Sequence, residues 1–180
     1  MTPQEVEGII LRRDLLKLRS ASSDMIEAYL ISVFDHCDAA IEPPDVDRLM
    51  SLGILIVRAK PEIQDRGALR WLQEAPSIKR LDIVSAFLCG LWHPQFRSKP
   101  VGADVVKRLV EIREKLNPDV ATAYNYTLAL CRVAEDPSGH RDVKAMVSAI
   151  LRQISQRGLE DIRADSLIRN AIDRVLNRSI

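Results

Sequence analysis

The sequence predicts an all-α fold, and three observations carry that prediction. Apolar residues recur three and four positions apart, as in Leu81, Val84, Leu88 and Leu91, which is the spacing of one helix face. Prolines and capping residues punctuate the chain at Thr2-Pro3, Pro43-Pro44, Pro76-Ser77 and Asn117-Pro118. The run Leu52-Gly53-Ile54-Leu55-Ile56-Val57 could form a buried strand, but no second convincing strand is present to pair with it. The composition, 47 % hydrophobic and 28 % charged over 180 residues, fits one helical domain spanning residues 1–180. A folded chain of this mass hides roughly 70 % of its extended surface, enough for a core without metals or disulfides.

The elements follow in order. Thr2 caps a first helix with Pro3 at its first position, running to about Leu18 with Val6, Ile9, Ile10, Leu15 and Leu16 as its apolar residues. The serine-rich stretch 20–23 breaks it. Asp24 and Glu27 have the spacing of a capping box for a second helix, which continues to about Ala40 on Ile26, Tyr29, Leu30, Val33, Phe34 and Cys37. Pro44 opens a third helix carrying Val46, Leu49, Met50, Leu52, Leu55 and Ile56, and a fourth runs from about Glu62 to Glu74 with Trp71. Ser77 caps a fifth, whose stretch from Ile83 to Trp92 holds no charge, so it is expected to be covered on more than one side. A connection over 93–102, with two prolines and a glycine, is the longest irregular segment.

A sixth helix spans about Asp104 to Leu116. Asn117-Pro118-Asp119 starts a seventh, which reaches about Ala134 and has apolar residues on two faces: Tyr124, Leu128 and Cys131 on one, Tyr126, Leu130 and Val133 on the other. Helices over about Arg141 to Gln156, ended by Gly158, and about Leu159 to Asn177 complete eight or nine. Starts near 3, 44, 77, 118 and 159 recur every 33–41 residues, compatible with a short α-solenoid of stacked helical hairpins of HEAT or tetratricopeptide size. The tetratricopeptide signature does not match residues 121–156, so an irregular multi-helix bundle stands beside the solenoid, and no repeat family is named.

Net charge is +1, which argues against a dedicated polyanion binder. The charge is unevenly placed: residues 24–65 carry nine acids against three bases, and residues 66–108 carry eight bases against three acids. Either the two segments complement each other within the fold, or they make a bipolar surface that steers a partner. Cys37, Cys89 and Cys131 are odd in number and far apart, which fits buried thiols in a reducing compartment. No secretory leader is visible, and the longest uncharged apolar stretch is little more than half of the roughly 20 residues that span a bilayer. The expectation is a cytoplasmic protein not embedded in a membrane.

Chemistry-bearing motifs are sparse. Cys89 and His93 are four apart, the spacing of two ligands on one helix face, and with Cys131 they are the weak candidates for a thiolate–imidazole metal site or a Cys–His pair. Two features count against them: Pro94 pushes His93 out of the helical region, and Cys89 lies in the most apolar stretch, where a thiol stays protonated. The acids around His36-Cys37 disfavour a thiolate there. The acidic pairs Glu135-Asp136 and Glu160-Asp161 fall at helix boundaries, where they serve caps and dipoles. Asn125-Tyr126-Thr127 matches a glycosylation acceptor but falls mid-helix. No signature of a zinc protease, P-loop, nucleophile elbow or dinucleotide fold occurs. No catalytic residues, metal or cofactor are therefore assigned.

The functional candidate is the 93–102 connection, where Phe96, Arg97 and Lys99 combine an aromatic anchor with two cations. The alternative is that Phe96 folds back as a plug over the core. The reading that follows is a non-enzymatic helical protein–protein interaction module, an adaptor, regulator or assembly subunit, with homo-oligomerisation compatible with it. A nucleic-acid-binding regulator, disfavoured by the neutral total charge, and a cryptic enzyme or metal protein are the alternatives.

Overall fold

The computed structural model describes residues 2–73, 77–97, 99–115, 120–135, 141–156 and 166–177. Among these, the secondary structure is helical throughout, with no strand, so Leu52 to Val57 is helix.

The expected first helix is two. Helix α1 (Pro3–Leu11) starts on a capping box in which Thr2 Oγ1 accepts from Glu5 N–H and Glu5 Oε2 accepts from Thr2 N–H. It ends in a Schellman turn: Arg13 N–H donates to Ile10 O at 2.9 Å and Asp14 N–H to Ile9 O at 3.1 Å. Arg13 occupies the left-handed position at φ 51, a place glycine usually fills. Asp14 then caps α2 (Leu15–Ser20) by accepting from Lys17 N–H. The break has a tertiary reason: it turns Leu18 fully into the core and Leu16 out to solvent.

Helix α3 (Ser23–Ala39) is capped by Ser22, whose hydroxyl accepts from Met25 N–H. The expected Asp24–Glu27 capping box therefore does not form; Glu27 is buried and pairs with Arg70 at 2.9 Å. Asp45 caps α4 (Val46–Ala59), one residue after Pro44. The expected fourth helix is interrupted at Gly67 into α5 (Ile63–Arg66) and α6 (Ala68–Gln73). A Cβ on Gly67 would meet the Trp71 ring at 2.2 Å, so the indole needs that bare backbone. Helix α7 (Ile78–Leu91) has the expected Ser77 cap, and Ile83 to Trp92 are buried without exception.

The remaining helices are α8 (Ala103–Lys115), α9 (Val120–Ala134), α10 (Arg141–Gln156) and α11 (Ser166–Asn177). Both apolar faces of α9 are covered, since every residue from Asn125 to Cys131 is buried. The expected helix start at 117–119, the turn at 136–139, Gly158 and the first residues of the last helix lie outside the described residues.

Packing proceeds in two series. Helix α4 lies on α7, α7 on α9 and α9 on α11; α6 lies on α8 and α8 on α10; α1 packs on α3, and α3 on α7. The core runs as one cluster from Val6 to Val175. Its aromatic centre joins Phe34, Trp71 and Phe87 edge-to-face, with centroids 5.4–5.8 Å apart. Each such pair adds about 1 kcal/mol beyond burial and locks α3, α6 and α7 together.

The uneven charge of the sequence meets across this packing. Arg80 pairs with Asp35 at 2.8 Å and covers the Phe34 ring, while Lys79 donates to the carbonyls of Asp38 and Ala40 at the end of α3. With Glu27–Arg70, these contacts place bases from the positive segment on acids and carbonyls of the negative one.

Candidate functional site

The connection after α7 begins with one turn, in which Phe96 and Arg97 N–H both donate to His93 O. The side chains that sequence singled out then take different directions. The half-buried Phe96 ring lies against His93, centroids 5.0 Å apart, and under the Arg58 guanidinium at 5.4 Å. Arg97 Nη1 donates to Arg132 O at 2.6 Å, a cation at the negative end of α9. Lys99 is exposed, while its backbone carbonyl accepts from the fully buried Gln64 at 2.6 Å. Phe96 and Arg97 thus tie α4, α7 and α9 together, and Lys99 is the member of the trio that presents its side chain to solvent.

Cys89 and His93 are not brought onto one helix face, because α7 ends at Leu91 with Trp92 as its cap. The Cys89 thiol is fully buried and donates to Asn125 O at 3.4 Å. Burial pushes its pKa far up, and burial followed by the Glu135 carboxylate raises that of Cys131 to about 12. Neither thiol is poised as a nucleophile. His93 Nδ1 accepts from Gln95 N–H, and desolvation, then the Arg132 charge, holds the imidazole below its ordinary range. Among the described residues no three His, Cys, Asp or Glu side chains gather as metal ligands. Burial also raises the Cys37 thiol, and Asn125 of the sequon is buried and donates to Asp82 Oδ1 at 2.6 Å.

The surface feature that sequence reasoning passed over is the corner between α1 and α2. Leu11 and Leu16 stand there 68 % and 74 % exposed, among the exposed Arg12, Arg13, Lys17 and Arg19. A groove of about 500 Å³ opens beside them, lined by Gln4, Glu5, Gly8, Ile9, Arg12 and Lys17. The signal was two leucines interleaved with four cations; it went unread because an unbroken helix places Leu16 on the buried face. A third exposed aliphatic, Ile41, stands fully in solvent on the α3–α4 connection beside Glu42 and Pro43. Another groove of about 370 Å³ runs over Asp24, Glu27, Ala28, Ile31 and Arg70.

No family model matches the chain, and neither a curated protein nor a solved structure matches it. Among the described residues, no helix is long and apolar enough to cross a membrane.

Proposed function

We propose that the chain is a non-enzymatic helical interaction module that docks another protein chain, working as an adaptor, regulator or assembly subunit in the cytoplasm. The observation that carries this reading is the α1–α2 corner, where two leucines remain in solvent while their helical neighbours Ile9 and Leu18 are buried. Exposed apolar surface rimmed by polar and charged residues marks an interaction site. The two series of alternate helices support the stacked-hairpin form of the fold, an architecture that offers extended surface. Lys99 adds a cation from the 93–102 connection, whereas Phe96 and Arg97 hold that connection in place.

Nucleic acid is the less favoured ligand. Arg70, Arg80, Arg97 and Arg132 are engaged with acceptors of the chain itself, which leaves less cationic surface for phosphates.

Affinity capture from native lysate tests the proposal with three proteins side by side: wild type, Leu11→Asp/Leu16→Asp, and Phe96→Ala/Arg97→Ala/Lys99→Ala. A partner kept by wild type and lost by the leucine variant is the expected result. Loss with the loop variant alone, reproduced by Lys99→Ala with an unchanged thermal melt, moves the site to the 93–102 connection. A defined turnover in purified protein, abolished by one point change, overturns the non-enzymatic reading.

A further inference from the structure

Resting on the interaction-module reading, we infer that the partner of the α1–α2 groove is a second copy of this chain, which inserts Ile41 into it. Ile41 is an uncovered apolar knob, and the α1–α2 groove is open to receive it. Ile41 is 103 % exposed, so its side chain rests on nothing in its own molecule. It is nevertheless held at a fixed place, because Lys79 donates to the carbonyls of Asp38 and Ala40 on one side. On the other side Pro43 and Pro44 stiffen the chain before the Asp45 cap of α4. A rigidly presented aliphatic side chain loses little freedom on docking. The groove at the corner, about 500 Å³, has ample room for it. Gly8 lowers the groove floor, and the Arg12 side chain lies beside it: a Cβ on Gly8 would come within 3.3 Å of the Arg12 guanidinium.

The surfaces are complementary in charge. Ile41 is followed by the exposed acids Glu42, Asp45 and Asp47; the groove is lined by the cations Arg12 and Lys17 with one acid, Glu5, and the exposed Arg13 and Arg19 neighbour these cations in the chain. Opposite charges around an apolar knob fix its register and exclude the reverse docking. Knob and groove are different patches of one chain, so each copy offers both: exchanged reciprocally they close a two-fold dimer, and used one at a time they repeat head to tail. A contact built on one groove belongs to the small, transient class of interfaces, so association is expected at high protein concentration and low salt.

Sedimentation velocity over a concentration series tests this, with circular dichroism melts as the folding control. Two variants change exposed residues only: Arg12→Glu/Lys17→Glu removes the groove rim, and Ile41→Lys removes the knob. Wild type is expected to form dimers or larger species that grow with concentration and shrink with added salt. Each variant alone is expected to associate at least about tenfold more weakly. Mixed in equal amounts, they are expected to form one-to-one pairs and nothing larger, because each retains one intact surface. Wild type that stays monomeric throughout, or association that neither variant weakens, overturns the inference. If wild type stays monomeric and the rim variant instead loses a captured heterologous partner or anionic vesicles, the groove belongs to that ligand. Capture of a heterologous partner by a chain that stays monomeric leaves the interaction-module reading standing while the second copy is excluded.

Discussion

The two faces of α7 are built on opposite principles. Toward α4 the helix offers Gly90, and α4 offers Gly53 in return. A Cβ on Gly90 would lie 1.9 Å from Met50 O, and one on Gly53 2.3 Å from Phe87 O, so the two backbones themselves are in contact. Toward α9 the same helix presents Asp82, Ser85 and Cys89 in one stripe, at i, i+3 and i+7. Asp82 and Cys89 bond to Asn125, whereas Ser85 Oγ and Asn125 Oδ1 are buried with no hydrogen-bond partner among the described residues. The first face gains from close approach and dispersion; the second trades apolar packing for directional bonds. A helix so placed makes one seam intolerant of added volume and the other sensitive to polarity.

The strongest way to break that contrast is to add a methyl group on the tight side. Gly90→Ala forces the α4 and α7 backbones apart and is expected to destabilise the protein by about 3 kcal/mol or more, read as a lowered urea midpoint. A well-tolerated Gly90→Ala would show that the close crossing is not what holds α4 to α7. On the α9 side the corresponding change is Asn125→Ala, which deprives Asp82 of its amide donor and leaves a small void. The expected loss is about 2 kcal/mol by the same measurement.

Alkaline pH probes the α9 side by a different route. Unperturbed thiols ionise near 9.0, while burial holds Cys89 far above that and Cys131 at about 12. Above about pH 9 the unfolded chain gives up protons that the folded chain keeps, so stability present below that pH is lost as pH rises. The slope approaches about 1.4 kcal/mol per pH unit for each such thiol. Urea titrations from about pH 8 to about pH 10 should show this decline, with a shallower one in Cys89→Ala. An equal slope in that variant would place the ionising groups elsewhere. The smallest effect is expected for Ser85→Ala, which deletes a buried hydroxyl with no partner among the described residues. Stability should change by no more than about 0.5 kcal/mol, and an increase is the favoured direction. A loss beyond about 1 kcal/mol would mean that the hydroxyl has a partner in solution, a buried water being the simplest.

Local signals along the chain act within a turn or two and are legible there. The Thr2 and Ser77 caps, the limits of the α10 helix and the two-sided burial of α7 and α9 all follow from hydroxyls, prolines and 3.6-residue periodicity, which operate within a turn or two. Glu27 shows where this reach ends. Its spacing from Asp24 imitates a capping box, but a buried carboxylate gains more from Arg70, 43 residues away, than from a backbone amide at a solvated helix end. Phe96 and Arg97 illustrate the same limit in the connection: composition marks them as anchors, while Arg58 and Arg132 O, far off in sequence, determine what they touch.

What the sequence determined by itself is the helical class, most helix boundaries and the apolar faces, because backbone hydrogen bonding and side-chain periodicity are local. Only the tertiary structure decided the break at Arg13, the Gly53–Gly90 crossing, the pairing of acidic and basic segments, and the exposure of Leu11, Leu16 and Ile41. Each of those depends on which helix arrives beside which. An apolar residue is buried only where a neighbour covers it, and a glycine is required only where another backbone approaches.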